Sequence, residues 1–210
     1  MTKQNIIDFF SDKYGETADR KKWLHPEIIE KYCELGYNQV IYALMLNAIK
    51  YTDYAELDIY LKSFDNQVVY CNEARSEWYC DVPCAVIQLP RGNGVRYISG
   101  MKDRLTNFYF RANGDNDVME NLEFSLVNTV PSWYVENSKI FFDHRMNHTL
   151  ADYGVLIKVY PTFSVWDDDQ EIPMPSADNM NIVVVIEQLI NQKLTEDTAP
   201  NAKSDFPTTK

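Results

Sequence analysis

The sequence predicts an α+β protein with N-terminal helices, an antiparallel β-rich middle, and a C-terminal helix followed by an extended polar arm. Apolar residues recur at helical spacing over about the first fifty residues. From about Ala55 they alternate with polar residues, and helical spacing returns after an acidic segment that contains prolines. The composition, 45% hydrophobic and 13% aromatic over 210 residues, is typical of a folded chain.

These patterns divide the chain into five regions. They are a helical region (1–54), a β-rich region (55–165), an acidic proline hinge (166–175), a C-terminal helix that packs on the helical region (176–194) and a flexible arm (195–210).

The helical region is predicted to contain a helical hairpin or three short helices. The first helix carries apolar residues at Ile6, Ile7, Phe9 and Phe10. Gly15 is placed to end this helix, because glycine commonly follows a helix C-terminus. The second begins at Pro26, a favourable first-turn residue, and Gly36 is predicted to stop it. The third restarts at Asn38 as a possible N-cap, and its apolar face contains Val40, Ile41, Leu44, Met45, Ala48 and Ile49.

The β-rich region contains eight or nine short stretches that are typical of strands and are joined by turn-like segments. In chain order they are "LDIYLKSF", "VVYC", "EWYCDV", "CAVIQLP", "VRYIS", "NFYFRA", "LEFSLV", "SWYVENSKIFF" with a turn near Asn137, and "GVLIKVYPTF". Short strands joined by short turns favour an antiparallel arrangement.

The stretch "SADNMNIVVVIEQLINQKL" predicts the C-terminal helix, with Ser176 or Asp178 as its cap. A strand is the alternative, because the β-branched residues from Ile182 to Ile186 lower helix propensity. We expect the apolar face to be buried against the N-terminal helices or an adjacent subunit, and it contains Ile182, Val185, Ile186 and Leu189. The arm after it lacks apolar periodicity, so we expect it to become ordered only against a partner.

The acidic segment "WDDDQEIPMP" could be a metal loop or a hinge. A calcium loop alternates its ligands around a glycine, whereas here Asp167, Asp168 and Asp169 are contiguous and no glycine is present. Pro173 and Pro175 hold the chain extended and lead it into the following helix. We therefore interpret the segment as a rigid, solvated hinge.

Three other groups resemble functional motifs without completing one. His144 and His148 have the spacing of a zinc protease, but Arg145 replaces the glutamate that the motif requires. Cys80 and Cys84 have no second pair, which favours reduced thiols. "LPRGNGVR" lacks the lysine of a P-loop and is typical of a connection between strands. We therefore predict no catalytic, cofactor or metal site.

The net charge of −11 argues against binding of nucleic acid over the surface at large. The acid is concentrated near the end, with nine acidic against three basic residues from Phe163 to Lys210. No apolar stretch approaches the roughly 18 residues of a membrane span. The N-terminus lacks the pattern of a secretory signal, so we expect the chain to fold in a cytoplasm.

From Cys84 onward, the order of elements resembles the head-to-tail connector ring proteins of tailed bacteriophages, in particular the ring proteins below the portal of crAss-like phages. The likeness covers about residues 26–200. It rests on "IQLPRGNGVRYIS", "FYFRANGDND", "NLEF", "PSWYVENSKIFF" and "VLIKVYPTFSVWDDDQEIPMPSADN" leading into the last helix.

The resemblance implies a non-enzymatic virion protein, assembled in the host bacterial cytoplasm. It would form a twelve-fold homo-oligomeric ring between the portal protein and further tail ring proteins, around the channel through which DNA passes. The residues are compatible with this function, because acidic side chains facing a channel do not hold DNA. The alternatives are another tail component or a receptor- or carbohydrate-binding module, and then a small metal-dependent hydrolase that uses His144 and His148.

Overall fold

The computed structural model describes residues 1–15, 24–73, 77–89, 92–101, 107–110, 131–143, 145–173 and 181–196. It confirms the α+β class, with helices near both ends and strands between them. The chain divides into two compact units. We call Met1–Val40 together with Asp168–Lys210 the helical unit, and Ile41–Asp167 the β-rich unit.

The helical unit contains α1 (Lys3–Tyr14), the part of α2 (Pro26–Tyr51) up to Val40, and α5 (Ile182–Glu196). Thr2 caps α1, since its side chain accepts a hydrogen bond from the Asn5 N–H. The predicted end of α1 at Gly15 is confirmed. The buried apolar side chains of this unit include Ile6, Phe10, Tyr14, Ile29, Cys33, Tyr37, Ile172, Ile182, Ile186 and Ile190.

The predicted helix stop at Gly36 and restart at Asn38 are wrong, because α2 runs without interruption through both residues. Gly36 instead marks a close helix contact. A Cβ atom added there would lie 3.2 Å from the backbone N and Cα atoms of Ile186 on α5. The glycine is therefore required for packing between helices and does not end one.

The C-terminal element is a helix, so the strand alternative is wrong. The Asn181 side chain accepts a hydrogen bond from the Val183 N–H at 3.0 Å, an N-capping interaction. The predicted caps Ser176 and Asp178 lie outside the described residues. The same holds for residues 197–210 of the predicted arm, whereas Thr195 and Glu196 belong to α5.

The β-rich unit contains two sheets. The three-stranded sheet has the antiparallel order β1 (Lys62–Gln67), β8 (Val155–Val159), β4 (Val95–Gly100). The five-stranded sheet has the order β2 (Tyr70–Asn72), β3 (Glu77–Asp81), β7 (Lys139–Phe142), β6 (Ser132–Glu136), β5 (Tyr109–Phe110).

Pairing in the five-stranded sheet is antiparallel except for β5, which runs parallel to β6. The predicted β6–β7 hairpin is confirmed, and Asn137 and Ser138 adopt positive φ angles at its turn. Two residues with positive φ suit a tight hairpin, because their twist matches that of the strands. Short helices α3 (Ala55–Asp58) and α4 (His148–Asp152) complete the described elements of this unit.

Two strand predictions in this unit are wrong. In the predicted strand "LDIYLKSF" the last three residues belong to β1, but the first part is wrong. "LDIYL" forms α3 and a turn, because Leu57 and Tyr60 are the buried residues there and they lie three positions apart, which is a helical interval. Asp53 supports α3 by accepting a hydrogen bond from the Ala55 N–H. "CAVIQLP" makes only an isolated bridge between Val86 and Pro161. The predicted strand "LEFSLV" lies outside the described residues.

Residues from both sheets form the core of the β-rich unit. Its buried members include Val69, Cys80, Val95, Ile98, Phe108, Trp133, Ile140, Phe142, Met146, Val155, Ile157 and Val159. Within the described part of the chain, no helix has the length and apolar character needed to cross a membrane.

Candidate functional site

Two carboxylates of the acidic segment are engaged in exposed ion pairs. Asp168 pairs with Lys3 at 3.0 Å, and Asp167 lies 3.7 Å from Lys62. The boundary between the two units falls between Asp167 and Asp168. Among the described residues, no group of three or more His, Cys, Asp or Glu side chains is placed to hold a metal ion.

The histidine and cysteine pairs have different environments. His148 begins α4, and its ring meets the edge of Trp78 with 4.9 Å between ring centroids, while His144 lies outside the described residues. Cys80 and Cys84 are free thiols. Burial raises the pKa of the Cys80 thiol to about 12 and also raises that of Cys84. Protonated thiols are poor nucleophiles and poor metal ligands.

A polar cluster around Asp58 connects α3, β4 and the end of β8. Tyr160 and Tyr97 donate hydrogen bonds to its carboxylate at 2.7 and 3.2 Å. The Arg96 guanidinium lies 3.4 Å from the same carboxylate and 3.8 Å from the centroid of the Tyr54 ring. Burial, followed by the hydrogen bond to Asp58, raises the pKa of Tyr160. The phenol therefore stays protonated, and the cluster is a structural cross-link.

A second polar network is buried around Asp143. Ser132 Oγ donates to Asp143 Oδ2 at 2.6 Å, and Arg145 Nη1 donates to the same oxygen at 2.8 Å. The Asp143 and Arg145 side chains are both largely inaccessible to solvent. This arrangement satisfies a buried carboxylate, and it does not present the serine to a substrate.

The β-rich unit has a concave cleft of about 620 Å³. Its lining includes the exposed side chains of Val68 (60% exposed), Tyr70 (48%) and Tyr153 (53%). Trp78 and His148 line it as a packed pair. We call the surface formed by these five residues the aromatic cleft. The exposed carboxylate of Asp152 also lies in its lining.

A second apolar surface of the same unit lies on the last turns of α2. Tyr42 and Leu46 are 44% and 48% exposed, and they lie one helical turn apart. Lys50, also exposed, follows after one further turn. We call Tyr42, Leu46 and Lys50 the α2 row. It is separate from the buried positions Leu44 and Met45 of the same helix.

The four residues predicted as an interface on α5 divide into two groups. Ile182 and Ile186 are fully buried within the helical unit, so they contribute to its core. Val185 and Leu189 are only half-buried. Any contact of α5 with another subunit would therefore use its outer residues, including Val184, which is exposed.

Sequence reasoning did not find the aromatic cleft, because its residues come from the β1–β2 connection, β2, β3, α4 and the residue that follows α4. The α2 row did carry a signal, since Tyr42 and Leu46 are large apolar residues one turn apart and outside the predicted apolar face. A comparison with protein-family models and with curated proteins finds no match to this chain.

Proposed function

We propose that this chain is a non-enzymatic structural subunit of a homo-oligomeric ring in the head-to-tail connector of a tailed bacteriophage. The observation that carries the proposal is the presence of two separate exposed apolar surfaces on the β-rich unit, the aromatic cleft and the α2 row. A ring subunit needs two different patches, because each copy contacts one neighbour on either side.

The polar chemistry of the described residues supports a structural function. The Asp58 and Asp143 carboxylates are engaged by tyrosine, serine and arginine side chains of the same unit. The Cys33 and Cys80 thiols have raised pKa values, so both are protonated near neutral pH. A catalytic group needs a free, correctly charged side chain that faces a substrate, and these groups do not offer one.

The proposed partners follow from the resemblance and from charge. The ring would contact the portal protein on one side and further tail ring proteins on the other, with twelve copies by analogy. A net charge of −11 suits a protein around a channel that DNA crosses without sequence-specific binding. The proposed location is the portal–tail region of the virion, after assembly in the host bacterial cytoplasm.

Native mass spectrometry of the purified full chain, alone and mixed with the portal protein of the same phage, tests this function. We expect one discrete oligomer of identical subunits, either alone or on the portal. A monomer under both conditions, at concentrations up to those used for assembly, would contradict the proposal.

The second candidate function is a receptor- or carbohydrate-binding module. The observation that favours it is the exposure of Tyr70 and Tyr153 beside Trp78 in the aromatic cleft, because aromatic side chains provide large contact areas for ligands. Saturable glycan binding, lost in a Tyr70→Ala, Tyr153→Ala variant that still folds, would support this function over the ring.

A further inference from the structure

Two surfaces of the β-rich unit have opposite curvature, one convex and the other concave. The α2 row is convex, because its residues project from one face of a helix at intervals of one turn. Its three residues span about 12 Å of helix at a rise of about 1.5 Å per residue. The aromatic cleft is concave and encloses about 620 Å³, within the range of natural binding pockets.

The two surfaces also match in chemistry. The row presents a tyrosine ring and a leucine side chain, and the cleft presents Val68, Tyr70 and Tyr153 around Trp78. Aromatic and aliphatic side chains of this kind form the centres of stable protein interfaces, where they lose their contact with water. The side chains of Tyr42 and Leu46 in the row, and of Val68, Tyr70 and Tyr153 in the cleft, are between 44% and 60% exposed, so a second chain can reach them.

The charges of the two surfaces indicate what occupies the aromatic cleft. Lys50 ends the row and makes no ion pair with another described residue, its nearest aromatic neighbour being Tyr51. Asp152, in the lining of the cleft, makes no ion pair with a described residue either. One uncompensated cation on the convex surface and one uncompensated carboxylate on the concave surface favour a contact between the two.

We propose that the α2 row of one copy of this chain occupies the aromatic cleft of the next copy, with Lys50 of the first paired to Asp152 of the second. The contact joins two different patches, so it is heterologous and repeats from copy to copy, giving a ring where the rotation between copies closes. A row-to-row or cleft-to-cleft dimer would leave the other surface exposed, whereas this contact covers both. The inference rests on the proposed homo-oligomer and specifies its interface.

Charge reversal in the full chain tests this interface. We expect Lys50→Glu and Asp152→Lys each to raise the concentration of half-assembly by about tenfold or more, since like charges then meet across the interface. The double variant Lys50→Glu, Asp152→Lys restores the opposite charges, and we expect assembly within about threefold of wild type. Sedimentation velocity over a concentration series measures all three.

Matched controls carry the same charge changes at exposed positions outside both surfaces. Lys31→Glu lies on α2, and Asp169→Lys lies in the acidic segment. Both are expected to assemble as wild type does. If the single reversals at Lys50 and Asp152 also assemble normally, or if the double variant fails while remaining folded by circular dichroism, the interface is wrong although the ring stands. If wild type never assembles, alone or with portal, the ring and its interface both fail.

A photoreactive residue at Leu46 identifies the occupant of the cleft directly. We expect it to cross-link to residues 66–71 or 151–154 of a second chain, as shown by mass spectrometry of mixed isotope-labelled subunits. Cross-links within one chain, or only to the portal protein, would overturn the proposed contact.

Discussion

Gly36 occupies the middle of α2, where glycine costs roughly 0.5–1 kcal/mol of stability relative to alanine. Because Gly36 has no side chain, the backbone of Ile186 on α5 can approach α2 closely. Small size and burial also explain the role of the buried thiols. Cys33 and Cys80 fill apolar space as small side chains, and their burial has consequences for the dependence of stability on pH.

Replacement of Gly36 by alanine is expected to destabilise the chain. The steric cost of a Cβ atom against the α5 backbone, about 1–3 kcal/mol, exceeds the gain in helix propensity. Gln39→Ala, at an exposed position of the same helix, is the control and should change the free energy of unfolding by no more than about 0.5 kcal/mol. Urea unfolding compares the two, and a more stable Gly36→Ala variant would refute the close packing.

Alkaline pH is expected to weaken the fold. Burial raises the pKa of Cys33 and Cys80 from 9.0 to about 12, so above pH 9 the unfolded chain loses thiol protons that the folded chain keeps. The contribution of these thiols to the free energy of unfolding should therefore be constant below pH 9 and fall above it, by at most about 1.4 kcal/mol per pH unit for each thiol.

Urea unfolding under reducing conditions at pH 7 to 10 measures this slope. Cys33→Ala and Cys80→Ala should each reduce the slope above pH 9, because each variant removes one buried thiol. An identical slope in all three proteins would mean that the buried thiols do not cause the loss.

At the scale of elements, the sequence patterns correctly predicted the strands and helices that depend on residues close together in the chain. Strands β3, β4 and β8, the β6–β7 hairpin and α5 follow from alternation, turn residues and helical spacing. The uninterrupted α2 could not be predicted, because the role of Gly36 depends on a residue far along the chain. The parallel pairing of β5 with β6 and the aromatic cleft likewise arise from contacts between distant segments.

Because α5 buries one face, we predict that substitutions on its buried and exposed sides differ greatly in their effect on stability. Ile186→Asp places a charge in the core of the helical unit, and we expect a loss of about 3 kcal/mol or more. Val184→Asp lies on the exposed side of the same helix and should cost less than about 1 kcal/mol. Thermal melting separates the two, and comparable losses would show that α5 does not bury the face described here.

We predict that the fold tolerates the loss of the charges in the acidic segment. Asp167 and Asp168 form exposed ion pairs, and Asp169 is exposed, so changing all three to asparagine should alter the free energy of unfolding by about 1 kcal/mol or less. Melting with and without added calcium provides the measurement. A large loss, or a calcium-dependent stabilisation of wild type that the variant lacks, would favour a metal loop over a hinge.

At the scale of the whole molecule, the described residues combine satisfied polar networks with exposed apolar surfaces. The Asp58 and Asp143 carboxylates of the β-rich unit are engaged by neighbouring side chains, while large apolar side chains, including those of the aromatic cleft and the α2 row, are exposed. Exposed apolar patches of this kind mark interaction surfaces in soluble proteins. Two different patches on one chain favour a closed ring over a symmetric dimer.

Electron microscopy of the assembled full chain tests the ring most directly. Two-dimensional class averages should show a closed ring with a central channel and one fixed rotational symmetry, which the resemblance to connector proteins places at twelve-fold. Symmetric dimers, open filaments without closure, or a chain that stays monomeric both alone and with the portal protein would contradict the account.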